Sequence, residues 1–321
     1  MTEQQPLVSI VIPCYNHSQF VQETIQSVID QDYENIELII IDDGSKDNSV
    51  EVIQEMIPAC EERFVRFEFR CRPNKGLSAT LNEALKWCEG EYFSPIASDD
   101  VLMPHKISLL INNFNEEVGV VFGDAEIIDS NSKVTPLKIY TPFELYNVES
   151  SSFLLLYTAA RFNYKNKEKF GSYETILRGN YLPAMSCLIK TDLLIAEGGW
   201  DTDFSIEDFQ MWLSLSKKTG FYLVDECVAK YRIHGDNSIF TMSDKLRYES
   251  YLLIKMQKDF CFERGLKRVY YKSLVDNIFS LLKFSKFGFF KEFAINSKSY
   301  LFLKFFILKI LNKISKDYAK F

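Results

Sequence analysis

Over the first hundred residues, short apolar runs alternate with segments whose apolar positions recur every three to four residues. Residues 8–12 form a β-branched run closed by Pro13, the pattern of a buried strand. Residues 20–30 place apolar side chains at 20, 21, 25, 28 and 29, a helical spacing. The alternation repeats: a strand at 36–41, a helix at 47–57 with Asp47 or Asn48 as its cap, a strand at 63–69, a helix at 76–88 and a strand at 92–97. Strands separated by helices predict a largely parallel sheet joined by right-handed crossovers.

Further along, residues 118–122 and 125–129 read as two strands around a Gly-Asp turn, and residues 184–189 as another strand. A short helix is expected at 193–197. A longer one over 207–219 should stop at Gly220. Residues 222–224 and 228–232 fit short strands, and the pattern beyond about 242 is helical to the end. The stretch between about 135 and 180 is irregular and rich in Tyr and Phe. Domain boundaries are expected at 1–240 for the sheet-bearing part, its halves meeting near residue 100, and at 241–321 for a helical extension.

An apolar fraction of 47% over 321 residues is enough for a substantial core. The net charge of -7 argues against a nucleic-acid partner. Seven scattered cysteines show no CxxC pair and no zinc spacing, so they read as reduced thiols. The N-terminus lacks the basic region and cleavage site of a secretion signal, and no apolar run has the length of a membrane span.

The acidic residues are placed unevenly, and that placement suggests chemistry. The 36–41 run ends on Asp42 and Asp43, and the 92–97 run is followed by Asp99 and Asp100. The carboxyl ends of parallel strands are where open α/β sheets bind ligands. Several carboxylates in one cleft need a cation, which suggests a divalent metal and a phosphorylated substrate. The bland readings are a solvated turn at Asp42–Ser45 and an N-cap pair at Asp99–Asp100, ahead of a helix that Pro104 would start. Glu207 and Asp208 suit the positive end of a helix dipole, and equally a general base. His234 is either structural or a ligand to metal or phosphate. Lys75 and Arg72 read as surface charges. No GxxxxGKS/T or GxGxxG loop occurs, which removes P-loop and dinucleotide-binding enzymes.

The ordered series of motifs resembles family 2 inverting glycosyltransferases of the GT-A fold, of the bacterial surface-polysaccharide (O-antigen or capsule) type. The series runs VSIVIPCYN (8–16), QDYENIELIIIDDGS (31–45), NKGLSATLNEAL (74–85), GEYFSPIASDD (90–100), GGWD (198–201), EDFQMWLSL (207–215) and YRIHGDNS (231–238). The resemblance implies an α/β fold with a mainly parallel central sheet flanked by helices. It implies transfer of a sugar from a nucleotide-sugar, UDP favoured by family frequency, to a saccharide hydroxyl with inversion.

Residue by residue, Pro13, Tyr15 and Asn16 would line the nucleotide, Asp43 with Asp42 would read the uracil edge, and Asn74, Gly76 and Asn82 would border the donor. Ser98, Asp99 and Asp100 resemble the DXD motif, with Ser98 in place of its first acid. Asp99 would hold the ribose or donor sugar, and Asp100 and His234 would hold Mn2+ or Mg2+. Asp208 would be the base, supported by Glu207. Leu81 stands where many relatives have Arg.

From Lys283 onward nine lysines face two acids. Tyr300, Leu303, Ile307, Ile310, Leu311 and Ile314 fall on one helical face, with Lys298, Lys309, Lys313, Lys316 and Lys320 on another and Lys304 off that stripe. A basic amphipathic helix suits an anionic membrane surface, and with it an acceptor carried on a polyprenyl diphosphate. The plainer reading packs this helix on the catalytic domain or on a second subunit of a homo-oligomer. The expected location is the cytoplasm, or the inner face of the cell membrane. The competing functions are a nucleotidyltransferase and a catalytically silent sugar-nucleotide-binding or scaffold protein.

Overall fold

A computed structural model describes residues 5–140, 147–158 and 163–318, with side chains except at 139, 140, 147, 239, 283, 284 and 312–318. Four strands open the chain: β1 (Val8–Cys14), β2 (Ile36–Asp42), β3 (Arg66–Cys71) and β4 (Tyr92–Pro95). They alternate with helices α1 (Val21–Ile29), α2 (Ser49–Arg63) and α3 (Leu77–Leu85). β1 pairs in parallel with β2 on one side and β4 on the other, and β2 pairs in parallel with β3. All seven residues of β2 are buried, as expected of a central strand covered on both faces.

The sheet continues through β5 (Val101–Leu102), β6 (Val118–Ile128), β9 (Cys187–Lys190) and β10 (Gly220–Arg232), giving the order β3-β2-β1-β4-β9-β6-β10-β5. A separate hairpin joins β7 (Leu137–Tyr140) and β8 (Asn147–Ser150). Because β9 runs antiparallel to both β4 and β6, and β10 runs parallel to β6, the carboxyl ends of β1, β2, β4 and β10 share one edge. That topology brings residue 234 beside residues 14–17 and 98–100.

Several helices depart from the sequence pattern. α2 runs through Pro58 to Arg63, past the expected stop. Proline removes one helical hydrogen bond, but the Arg63 guanidinium donates to the carbonyls of Ile29, Gln31 and Tyr33 and anchors the last turn. The following strand therefore starts at Arg66. α4 (Lys106–Ile111) begins well past Asp99 and Asp100 and takes no cap from either. α5 (Phe153–Thr158), α6 (Tyr173–Leu177) and α7 (Thr191–Glu197) lead to α8 (Glu207–Leu215), which is shorter than the pattern suggested.

β6 is one continuous strand where a Gly-Asp turn was expected. Gly123 serves close approach there: a Cβ would meet the Val228 methyls at 2.6 and 2.7 Å. β10 is likewise one strand, irregular around Leu223–Ala229, so the two predicted pieces are joined by bulged backbone.

The rest of the chain is helical: α9 (Ser238–Thr241), α10 (Ser243–Met256), α11 (Lys258–Glu263), α12 (Lys267–Ile278), α13 (Leu281–Phe284), α14 (Lys286–Asn296) and α15 (Tyr300–Tyr318). One apolar cluster runs without a break from Phe122 and Trp212 at the sheet to Tyr251, Leu274 and Phe302 in these helices. A second cluster fills the opposite face, around Ile10, Ile40 and Leu188. α15 packs Phe302, Phe305 and Phe306 inward, and leaves Tyr300, Ile307 and Leu311 exposed. Lys309 donates to Asp276 on α12, so this member of the basic stripe holds the helix down. Ile314, Lys313, Lys316 and Lys320 lie outside the described side chains.

Candidate active site

The end of β2 delivers two carboxylates with different tasks. Asp42 turns back on its own loop, accepting from Gly44 N at 3.0 Å and Ser45 N at 2.9 Å, so it shapes the turn. Asp43 receives Lys75 N at 2.8 Å and Gly76 N at 2.9 Å and pairs with Arg72. Arg72 is held in turn by Glu83 and Thr80. Its side chain is 11% exposed, so it belongs to this clamp and is no surface charge. Lys75 is 59% exposed, 3.9 Å from Glu83. Gly44 adopts a positive φ of 78° and sits so close to Asn74 N that a Cβ would lie 2.7 Å away. Asn16, also at positive φ, donates N–H to Ser45 Oγ and accepts from Lys46 N. Pro13, the exposed Tyr15, Asn16, Asp43, Asn74 and Gly76 thus border one corner.

Asn82 goes elsewhere. Its amide clasps the backbone of Trp200 from both sides, at 2.7 Å each. Gly199 has a φ of 83° and no room for a side chain against it. The preceding Leu81 is buried in the core.

A second corner forms where β1, β4 and β10 end. His234 Nε2 lies 2.9 Å from Asp99 Oδ2, and His17 Nδ1 lies 2.8 Å from Ser98 Oγ and 4.0 Å from Asp99 Oδ1. One ligand atom each from His17, Asp99 and His234 falls within 4.8 Å of the others. Burial lowers the His17 pKa against the pull of Asp99, which favours the neutral imidazole that metals bind. Asp100 turns away into the interior, where Oδ1 accepts from Arg232 N at 2.9 Å. Burial, then repulsion from Asp99, raises its pKa well above the usual carboxyl range. Arg232 is fully buried and ties this corner together, reaching the Asp99 carbonyl, Asp129, Ser132 and Glu23 and lying over the Phe20 ring at 4.8 Å.

The third corner is the start of α8. Asp208 Oδ2 accepts from Asn180 Nδ2 at 2.6 Å. Asp208 keeps a partial opening to solvent, but protein crowds it enough for burial to raise its pKa, against the hydrogen bonds from Asn180 and Phe209 N. Glu207 is pushed up to about 8 by burial and then by the Asp208 charge. Phe209, Trp212 and Leu213 hold the helix to the core. Tyr231 on β10 links the corners: its phenol is raised by burial, then Tyr157, then Asp100, Asp99 and Asp208.

The sequence pattern brought forward Ser98, Asp99, Asp100, Asp208 and His234, passed over His17 and Asn180, and gave no role to Tyr231 and Arg232 although both stand in the YRIHGDNS run. His17 had one signal, its place directly after the PCYN run at a strand end. The other three matter through contacts between distant segments.

The Glycosyl transferase family 2 profile matches residues 9–174. An uncharacterized glycosyltransferase of Rickettsia bellii is 28% identical over 72% of this chain and 30% of its own length. The chondroitin synthase of Escherichia coli is 25% identical over 84% of the chain and 35% of its own. The chain therefore spans about a third of both relatives. Among solved structures, the mannosyltransferase PcManGT of Pyrobaculum calidifontis, in complex with GDP-Man and Mn2+, superposes with a TM-score of 0.58 at 11% identity, covering 99% of this chain and 89% of that one. S. aureus TarS 1–349 in complex with UDP-GlcNAc gives 0.56 at 16% identity, covering 87% and 74%. These likenesses show the GT-A fold.

Proposed function

The chain belongs to glycosyl transferase family 2, and from that premise we propose that it moves a sugar from a nucleotide-sugar to a hydroxyl of a saccharide acceptor, with inversion, in surface-polysaccharide synthesis. The observation that supports this most is the corner at the sheet's carboxyl edge, where His17, Asp99 and His234 each bring a ligand atom within 4.8 Å of the others. Asp208, at the start of α8, supplies a carboxylate held by Asn180 that can serve as the base.

The donor set of the second corner suits a divalent cation. Two imidazoles and one carboxylate favour Mn2+ over Mg2+, which takes mostly oxygen ligands. His17, Asp99 and His234 would hold the ion, with Asp100 behind them as a buried support. A cation bound there would neutralise charge on the donor's diphosphate.

The chain's own residues do the rest. Asp43 keeps a lone pair on Oδ2 beyond its bond from Gly76 N, which fits the N–H of a nucleotide base such as uracil. Asp208 takes the proton of the acceptor hydroxyl as that oxygen attacks the anomeric carbon, and Asn180 holds the carboxylate in place. The nucleoside diphosphate departs from the opposite face, so no covalent enzyme intermediate forms. Base assistance of about 10²–10⁴-fold is expected.

The acceptor's lipid carrier has support in the extension. Phe287, Phe290 and Tyr300 are 80%, 63% and 75% exposed. Lys286, Lys291 and Lys298, in the same stretch of chain, are also exposed. Apolar rings beside lysines suit the surface of an anionic bilayer. No helix among the described residues is long and apolar enough to cross a membrane.

The test is calorimetric titration with UDP-, GDP- and dTDP-sugars, with and without Mn2+, on the wild type and on His17→Ala and Asp100→Ala. Metal-dependent binding of one series, weakened in both variants, is expected. Absence of binding across the panel in folded protein would replace this reading with the silent scaffold.

A further inference from the structure

A cavity of about 430 Å³ opens between the catalytic sheet and the extension. That volume lies within the ~300–1,000 Å³ of small-molecule sites. Its walls are the segment after α6, the start of α8 and the faces of α10 and α12, and Arg178, Asn180, Phe209, Lys272, Asp276 and Asn277 line it. Asn180 is the residue that holds Asp208, so the cavity lies one side chain from the base.

Its charge is unbalanced. Asp276 is engaged by Lys309, whose ammonium reaches both its carboxylate at 3.0 Å and its carbonyl at 2.7 Å. Lys272, four residues earlier on the same helix, makes no ion pair or hydrogen bond among the described residues. Arg178 also has no acidic partner among them, and its Nε is sealed from solvent without an acceptor. A buried guanidinium N–H left unpaired costs free energy that a bound acceptor would recover. Two unpaired cations, Arg178 and Lys272, therefore line one cavity, beside the amides of Asn180 and Asn277, which are engaged by Asp208 and by the Ser273 carbonyl.

We propose that this cavity seats an anionic group of the acceptor, a sugar carboxylate or a phosphate, and so selects acidic acceptors. The inference rests on the transferase reading and adds the acceptor's chemical class to it. Arg178 would supply the planar fork that matches either anion, and Lys272 a point charge at the mouth. An acceptor anchored there would have its neighbouring sugar ring near Asp208, with Asn180 touching both.

The test titrates the full chain with sodium glucuronate, glucose 1-phosphate and methyl glucoside, on the wild type and on Arg178→Gln, Lys272→Gln and Arg178→Lys. Binding of glucuronate or glucose 1-phosphate is expected, with methyl glucoside at least about tenfold weaker. Arg178→Gln and Lys272→Gln should each weaken the anion about tenfold or more, while Arg178→Lys retains part of the affinity. A preference for the carboxylate or the phosphate identifies the group. Equal affinities for charged and neutral sugars, or anion binding unchanged in both Gln variants, would overturn the proposal. Lys272 is exposed, so its variant decides the matter even if Arg178→Gln fails to fold. The nucleotide-sugar titration on the same samples separates the two readings: donor binding without anion selectivity sinks only the cavity.

Discussion

Asp208 and Glu207 are adjacent carboxyl groups under different constraints, and pH should separate them. Asp208 has a raised pKa that the Asn180 bond holds back. Its basic form builds up as pH rises, so turnover should climb along an acid limb. Asn180→Ala should move that limb to higher pH in the rate profile and leave the plateau position of donor affinity where it was. Asp208→Asn should lower transfer by about 10²–10⁴-fold and spare donor binding; loss of donor binding in that variant would argue against a base.

Glu207 retains its proton in the folded state up to about pH 8, whereas the unfolded chain releases it near 4.5. Between those values the native state binds more protons, so stability falls as pH rises. Glu207→Gln should flatten that slope in denaturant melts taken across the window. Arg72→Gln should cost about 3–5 kcal/mol, because it strands the buried Asp43 carboxylate, measurable as a shift in denaturation midpoint. At this scale the sequence pattern exposed the carboxylates and hid their keepers. Acids after apolar runs are visible in one dimension, but Arg72 looks like any surface arginine until Asp43, Glu83 and Thr80 close around it.

Among elements, the first four strands and three helices were legible because each is a short buried run or one amphipathic face. Errors arose where tertiary contact overrode a local breaker. Gly123 looked like a turn residue, yet it lies mid-strand because β10 crosses too near for a side chain. Gly123→Ala should therefore destabilise by about 1–3 kcal/mol through forced separation of β6 from β10. A melting point equal to the wild type would show that Val228 yields freely. The helix expected over 47–57 runs on through Pro58 because Arg63 fastens the end of α2 to three carbonyls of another segment. The antiparallel β9 was visible only as a strand; its direction, which brings β10's end to the catalytic edge, follows from pairing alone.

At the scale of the whole molecule, the extension shares one apolar cluster with the sheet, so it is part of the catalytic body. Its outer face is a different matter. If Phe287 and Phe290 enter a bilayer, Phe287→Ser with Phe290→Ser should abolish sedimentation with phosphatidylglycerol vesicles while nucleotide-sugar affinity holds. Unchanged sedimentation would assign those rings to a second subunit.

If those rings and the exposed lysines near them in the chain do dock on a bilayer, the protein should respond to salt in two opposite ways. Added electrolyte screens the lysines from lipid headgroups over about 8–10 Å or less, and sulfate or phosphate strengthens apolar association. Raising the ionic strength should thus drive the protein off vesicles and, at the same concentrations, into contact with its own copies. Its colloidal behaviour would change from lipid adsorption to salting-out along a single titration.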